Sequence, residues 1–548
     1  MMAYRAAADG QRALRCTIAA VVAILVVSLA ACGGGSSGGG GNTTPPSGGQ
    51  PPLPGNYIPT GRAVAGDAFV HLFEWRWADI ATECEQHLGP KGFKAVQISP
   101  PSEHAVIIGT SSGLSYPWWQ RYQTVSYSLA ASRSGTQAEF VDMVNRCKAR
   151  GVDIYADAVI NHMTAGSGTG SAGSAYSKYS YPAVPFGSGD FHAGCGINSY
   201  QNAFEVQNCE LVGLADLKTE DDSVRTRIAN YLIALNSLGV AGFRIDAAKH
   251  MHPRDIDGII AKVNAAAMAA GRPMPYVFLE VINNAGEAVT AQQYFGVGNA
   301  SNGASDVTEF QYSYRLSDAF LGRNGLNLSL LQALPTNFLP GDKAVVFTDN
   351  HDNQRGGNIY FADGVYELAN VFLLAYPYGY PALMSSYGFD RNSAAGRDQG
   401  PPANANGLTQ STFHANGASR CTTQIGSAQA GSWVCEHRRR AISGMVGFRK
   451  AAAGAAVAAW QNFGTNQIGF ARETKGYVVI NRGGSAVAAT VQTTLPTGNY
   501  CNVIADEFMS SLTTSCTGLP IAVAADGTAN INVPAGGALA IHVGAKLN

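Results

Sequence analysis

Gly242-Phe243-Arg244-Ile245-Asp246-Ala247-Ala248-Lys249-His250 places a carboxylate, two cations and an imidazole in one short segment. Side chains alternate along a strand, so Gly242, Arg244 and Asp246 share one face while Phe243, Ile245 and Ala247 share the other. The apolar face is expected to meet helices. The polar face then points into a barrel or cleft, with Arg244 close enough to Asp246 to hold that carboxylate ionised and make it a nucleophile. An Arg-x-Asp ion pair in a structural strand is the competing interpretation of the tripeptide alone.

Working outward, short apolar runs rich in β-formers recur at 67–73, 93–98, 152–160, 242–247, 276–281, 306–311, 344–348, and at either 371–375 or the adjacent 380–383. Helix-like stretches at 77–88 and 137–150 separate the first three. Strand, helix, strand, helix implies a parallel sheet, and eight such strands are the number for a closed TIM-type β/α barrel. Between strand 3 and the resumed alternation, a Gly-, Ser- and Tyr-rich stretch is too long for a βα loop and reads as a small inserted domain, 162–215. Beyond about residue 455 the helical signal fades. Alternating runs at 467–472, 476–481 and 487–493 predict an antiparallel β-sandwich over 456–548, leaving 67–455 as the barrel.

The chain of 548 residues is too long for one ordinary core, and its net charge of -1 offers no electrostatic footprint for nucleic acid. Arg5, Arg12 and Arg15 precede the apolar run 16–31, which fits a bacterial export signal over 1–32. Leu29-Ala30-Ala31-Cys32 resembles a lipobox, implying cleavage before Cys32 and a lipid on that cysteine. Soluble secretion after cleavage at a small-residue site is the alternative. Residues 33–66 are Gly-, Ser-, Pro- and Thr-rich and read as a flexible tether. Eight cysteines remain: Cys84, Cys147, Cys195, Cys209, Cys421, Cys435, Cys501 and Cys516. An even number in an exported chain points to disulfides, with the pairing open. Zinc is disfavoured because no Cys-x-x-Cys pair occurs.

Four polar clusters fall at predicted strand ends: Asp157 with Asn161 and His162; Arg244 and Asp246 with Lys249 and His250; Glu280; and Asp349-Asn350-His351-Asp352. Catalytic groups of a β/α barrel collect at the carboxyl ends of its strands. Each cluster taken alone could be capping or a rim carboxylate; four in barrel register are harder to explain that way.

The segments DAVINH (157–162), GFRIDAAKH (242–250), FLEVI (278–282) and FTDNHD (347–352) together resemble the α-amylase family of glycoside hydrolases. GPKGF (89–93), PWWQRYQ (117–123), NQRG (353–356) and MSSY (384–387) are similar to its branch of animal and some bacterial members. The resemblance implies Asp246 as nucleophile, Glu280 as general acid/base and Asp352 as a third carboxylate that stabilises the transition state. It implies sugar contacts at His162, Arg244, Lys249, His250 and His351, and a non-reducing-side wall of Trp118, Trp119, Tyr122 and Gln123. It further implies a structural Ca²⁺ held by the side chains of Asn161 and Asp216 and the carbonyls of Gln207 and His250, all oxygen donors suited to a hard cation. The implied disulfides are Cys84–Cys147, Cys195–Cys209, Cys421–Cys435 and Cys501–Cys516.

Two departures stand out. Where chloride-activated relatives carry a second basic residue this chain has Ala382, so chloride is not expected to be required. Gly357-Asn358-Ile359 also replaces a longer, histidine-bearing loop, which removes one reducing-side sugar contact. The expected activity is endo-hydrolysis of α-1,4-glucans such as starch and glycogen with retention, by a monomer that meets a membrane only through its lipid. A transglycosylase on the same scaffold and a non-catalytic glycan-binding lipoprotein are the alternatives. Retention of all three carboxylates argues against the second.

Overall fold

The computed structural model describes residues 53, 57–422, 430–506 and 515–547. The export signal, Cys32 and most of the tether lie outside the described residues. Among the described residues no helix is long and apolar enough to cross a membrane.

Eight parallel strands close into a barrel in sequential order: β1 (Phe69–Leu72), β2 (Ala95–Ile98), β3 (Asp153–Ala158), β4 (Gly242–Ile245), β5 (Tyr276–Leu279), β6 (Ser305–Thr308), β7 (Ala344–Val346) and β8 (Tyr380–Ser385). Alternation sorts their side chains. Val70, Val96, Ile154, Phe243, Val277 and Val307 face outward and join the main core beneath the helices. Phe69, Tyr155, Tyr276, Phe278 and Tyr380 face inward and fill the barrel floor with their own aromatic cluster. Gly242 is required there, because a Cβ would come within 2.7 Å of the Tyr155 ring and of the Tyr276 carbonyl. The helices around the barrel include α1 (Trp77–Glu83), α2 (Gln137–Ala149), α3 (Asp222–Ser237), α4 (Pro253–Ala269), α5 (Phe310–Leu321), α6 (Tyr366–Ala375) and α7 (Arg440–Ala451). Local signals set their ends: Thr136 and Glu139 form a capping box on α2, and Pro253 opens α4.

Three expectations are corrected. Residues 371–375 belong to α6, so the eighth strand is the alternative, Tyr380–Ser385. The run 306–311 is strand only to Thr308, and Phe310 already opens α5. The last part of the presumed tether, 57–66, is not loose but lies against the barrel floor. Tyr57 packs edge-on to Phe295 at 5.3 Å, Lys343 Nζ donates to the Ile58 carbonyl at 2.8 Å, and Thr60 Oγ1 donates to Asp306 at 2.7 Å. Arg62 sits 5.1 Å over the Tyr276 ring. Composition missed this because a few anchoring side chains, not overall apolarity, hold the segment.

After β3 the chain makes its excursion and returns through Ala215–Asp216, which pairs antiparallel with His162–Met163. The carboxyl-terminal region holds two four-stranded antiparallel sheets over a shared core: β9 (Val457–Gly464), β10 (Gln467–Arg472), β11 (Gly476–Asn481) and β16 (Ala538–His542), facing β12 (Val487–Gln492), β13 (Gly498–Tyr500), β14 (Ile521–Val523) and β15 (Thr528–Val533). The eight cysteines form the four disulfides Cys84–Cys147, Cys195–Cys209, Cys421–Cys435 and Cys501–Cys516.

Candidate active site

Strand register assembles the site. Arg244 on β4 pairs with Asp157 on β3 and Phe278 on β5, so its guanidinium enters the barrel between Asp157 and Glu280, two residues beyond Phe278. Arg244 Nη1 donates to Asp157 Oδ1 at 2.7 Å and to Asp246 Oδ1 at 2.9 Å, and Nη2 meets Glu280 Oε1 at 2.8 Å. One cation thus bridges the two carboxylates at the centre of the mouth. The other oxygen of Glu280 accepts the Ala247 N–H at 2.8 Å. Ala247 pays for this aim with φ 50, a left-handed conformation costing a residue with a Cβ about 1–2 kcal/mol.

Asp352 arrives from the opposite side on a tight turn after β7. Asn350 Oδ1 accepts N–H groups from Asp352 at 3.0 Å and Asn353 at 2.8 Å. His351 on this turn stacks on Tyr122 with centroids 5.0 Å apart, and Tyr122 Oη donates to Asp157 Oδ2 at 3.0 Å. Trp118 closes the same wall, its Nε1 donating to the Arg397 carbonyl at 2.9 Å and its ring covered by Arg355 at 4.6 Å. Trp119 and Gln123 stay half-exposed beside it.

Burial pushes Asp246 well above the ordinary carboxylate range; Arg244 pulls it back, while Glu280, Asp157 and Asp352 push it further up. Burial likewise raises Glu280, against Arg244 and the Ala247 N–H. Asp157 is pushed up to about 6 by burial, opposed by Arg244. Asp352 has a side chain 28% exposed, so solvent tempers the same upward push on it. Arg244 is not reserved for Asp246, as the tripeptide alone suggests, but also meets Asp157 and Glu280. One guanidinium serves several carboxyls in a dry pocket, so each is lowered less than it would be by a cation of its own.

Other expected sugar contacts are gathered at the mouth but already engaged. Lys249 Nζ donates to the Ile282 carbonyl at 2.7 Å and pairs with Glu287. His162 is bonded through Nε2 to the Tyr122 carbonyl at 3.0 Å and through Nδ1 to the Asn161 amide at 3.2 Å. His250 Nδ1 meets the Val206 carbonyl at 2.9 Å. Sequence reasoning gave Arg355 no site role beyond its motif and passed over Glu287 and His71, whose buried ring stands 5.3 Å from His351. A lone Glu in a loop gives no signal, whereas the position of His71 on the inward face of β1 was readable from alternation.

The oxygen donors expected at a cation are held in two pairs, Asp216 near Asn161 and Gln207 near His250. Asp216 pairs with His162 in the two-stranded sheet next to Asn161, and the Leu217 N–H donates to the Asn161 carbonyl at 3.1 Å. The His250–Val206 bond ties the short helix Ala203–Asn208, and with it Gln207, to the end of β4. Among the described residues no backbone N–H donates to the Gln207 or His250 carbonyls, and Pro253 has none to offer the latter. Burial pushes Asp216 up to about 7 although His192 Nδ1 bonds it at 2.7 Å. A buried carboxylate, a side-chain amide and two carbonyls that accept no backbone N–H are the kinds of oxygen donor that fit a hard cation.

A closed β/α barrel whose mouth sets carboxylates about a single guanidinium, walled by aromatic rings, fits a glycoside hydrolase. Residues 115–319 match the family described as Alpha amylase, catalytic domain, and residues 459–544 match Alpha amylase, C-terminal all-beta domain. The chain is 46% identical over 494 residues to an α-amylase of Tribolium castaneum, covering 88% of this chain and 95% of that protein. It is 43% identical over 511 residues to the pancreatic α-amylase of Sus scrofa, with the same coverage, 88% and 95%. A crystal structure of a mutant α-amylase I from Eisenia fetida in complex with maltohexaose superposes with a TM-score of 0.76 at 39% identity, covering 87% of this chain and 97% of that one. The chain belongs to the α-amylase family.

Proposed function

We propose that the protein hydrolyses internal α-1,4-glucosidic bonds of starch, glycogen and related glucans with retention of configuration. The observation that carries this reading is the bridging of Asp246 and Glu280 by one Arg244 guanidinium, with Asp352 facing them. Retaining glycosidases need two carboxyls about 5–5.5 Å apart, too close for a water to attack between them. Asp246 attacks the anomeric carbon as Glu280 gives its proton to the leaving oxygen. Glu280 then takes a proton from the water that releases the sugar. Asp352 stabilises the developing positive charge, while Trp118, Trp119, Tyr122 and Gln123 offer faces and an amide to the non-reducing sugars. His351, His162, Lys249 and His250 hold the walls of the site and reach hydroxyls once sugar enters. Reducing-sugar release from soluble starch, with and without Glu280→Gln, tests the reading: a loss of about 10²–10⁴-fold is expected, and equal rates would refute it.

The residues fit a Ca²⁺ at Asn161, Asp216 and the Gln207 and His250 carbonyls, where the ion would supply fixed positive charge joining excursion to barrel. A chelator is then expected to lower the unfolding midpoint, and calcium to restore it. Chloride is not required: Arg244 is occupied by three carboxylates, and Ala382 packs against the aromatic clusters of the barrel interior. Activity that rises strongly on titrating chloride into halide-free buffer would contradict this. The reading further takes 1–32 as an export signal of a bacterial lipoprotein, Cys32 as the lipid-bearing residue or the chain as secreted, 67–455 as the catalytic unit with 162–215 inserted, 456–548 as the β domain, and the protein as a monomer. Four disulfides support export. Mass spectrometry of the mature amino terminus distinguishes the lipidated from the secreted form.

A further inference from the structure

Behind the turn that carries Asp352 lies a second polar cluster that the chemistry above does not use. Asp349 follows β7, Glu436 and Arg439 precede α7, and all three are at most 3% exposed. Each is half satisfied. Tyr366 Oη donates to Asp349 Oδ1 at 3.0 Å, the Ser386 N–H donates to Glu436 Oε2 at 2.7 Å, and Arg439 Nη2 donates to the Phe361 carbonyl at 2.9 Å. The remaining atoms, Asp349 Oδ2, Glu436 Oε1, Arg439 Nε and Arg439 Nη1, are buried without a hydrogen-bond partner, as is Gln354 Nε2, although Arg439 Nη1 lies 3.9 Å from Glu367 Oε1. Gln354 belongs to the same region through Ser386, whose Oγ donates to Gln354 Oε1 at 2.7 Å. The guanidinium of Arg439 lies 5.4 Å over the ring of Tyr366, the residue whose hydroxyl also donates to Asp349.

Five orphaned atoms in one buried region, two acceptors and three donors, identify what fills it. A bare cation would face the guanidinium, and an anion would face two carboxyls. Water alone donates to the acceptors and accepts from the donors, and buried polar groups left unpaired by the protein are ordinarily bridged in this way. The cluster also brackets the third carboxylate in sequence: Asp349 stands three residues before Asp352 and Gln354 two after, joined by the Asn350 turn.

We propose that a buried water cluster bridges Asp349, Glu436, Arg439 and Gln354, and that through it the start of α7 positions the turn presenting Asp352. This rests on the catalytic reading of Asp352. Glu436 and Arg439 are positioning residues: they reach the reaction only through the turn.

A crystal structure of the full chain tests the first half. Ordered solvent touching both carboxyls and the guanidinium is expected; a dry cluster, with Arg439 bonded directly to Asp349 or Glu436, would overturn it. Kinetics on soluble starch with Glu436→Gln test the second half. At a temperature well below the variant's unfolding midpoint, kcat is expected to fall about tenfold with KM within twofold, as for a small misplacement of a catalytic group. A folded Glu436→Gln with a lowered midpoint and unchanged kcat would reduce the cluster to a structural one and defeat the proposal. Asp352→Asn, run alongside, separates the two claims: full activity there would sink the catalytic reading itself, whatever the solvent shows.

Discussion

At the floor of the barrel, Asp306 is a buried carboxylate held by hydroxyls, with Lys343 and Arg62 nearby. Tyr276 Oη and Thr60 Oγ1 donate to its Oδ2 at 2.8 and 2.7 Å, and burial pushes it up to about 6. Around it Phe69, Tyr155, Phe278 and Tyr380 pack ring against ring. At the mouth, β3, β4 and β5 and the residues just past them carry Asp157, Arg244, Asp246 and Glu280 crowded together, with Asp352 opposite. Both ends bury acids. The floor offsets Asp306 with two hydroxyl donors and the nearby cations Lys343 and Arg62 and surrounds it with aromatic area, while the mouth makes several carboxyls compete for one guanidinium. Stability is concentrated at one end and chemical tension at the other.

The contrast breaks most visibly in activity. Asp246→Asn is expected to lower kcat on soluble starch by about 10⁴-fold, whereas Asp306→Asn, equally buried, leaves kcat within about twofold because it lies at the opposite end of the barrel. A second large loss from the floor substitution would erase the distinction. Stability comes next. Arg244→Met strands several buried acids and is expected to cost about 3–5 kcal/mol in urea unfolding. Arg62→Met at the floor removes a half-exposed cation over an aromatic ring and is expected to cost about 0.5–1 kcal/mol.

Much of this division was legible in the chain. Alternation in GFRID placed Arg244 and Asp246 on the inward face, and the spacing of the strand-end clusters gave the mouth its carboxyls. Three features were hidden for physical reasons. The run 371–375 is apolar on every side because α6 is buried between barrel and β domain, so periodicity could not separate helix from strand. Residues 57–66 dock by isolated anchors that composition averages away. How far burial pushes up the carboxyls at the mouth depends on how many acids one arginine serves, and the Arg-x-Asp spacing shows only one of them.

The smallest expected effect is a pH dependence confined to the floor. Asp306 titrates near 6 in the folded chain and near about 3.9 when unfolded. Its ionisation therefore opposes folding above pH 6, and that penalty disappears as pH falls toward 4. The stability of Asp306→Asn relative to the native chain should accordingly be greatest at pH 7 and decline as pH falls through about 6. Urea midpoints across this range check it, and a difference independent of pH would contradict it.

The central claim is that Asp246 and Glu280, joined by Arg244, act from the two roles of a retaining pair. Proton NMR of the first product released from a maltooligosaccharide reads this directly, before mutarotation blurs the signal. The account predicts the α-anomer; release of the β-anomer would contradict it.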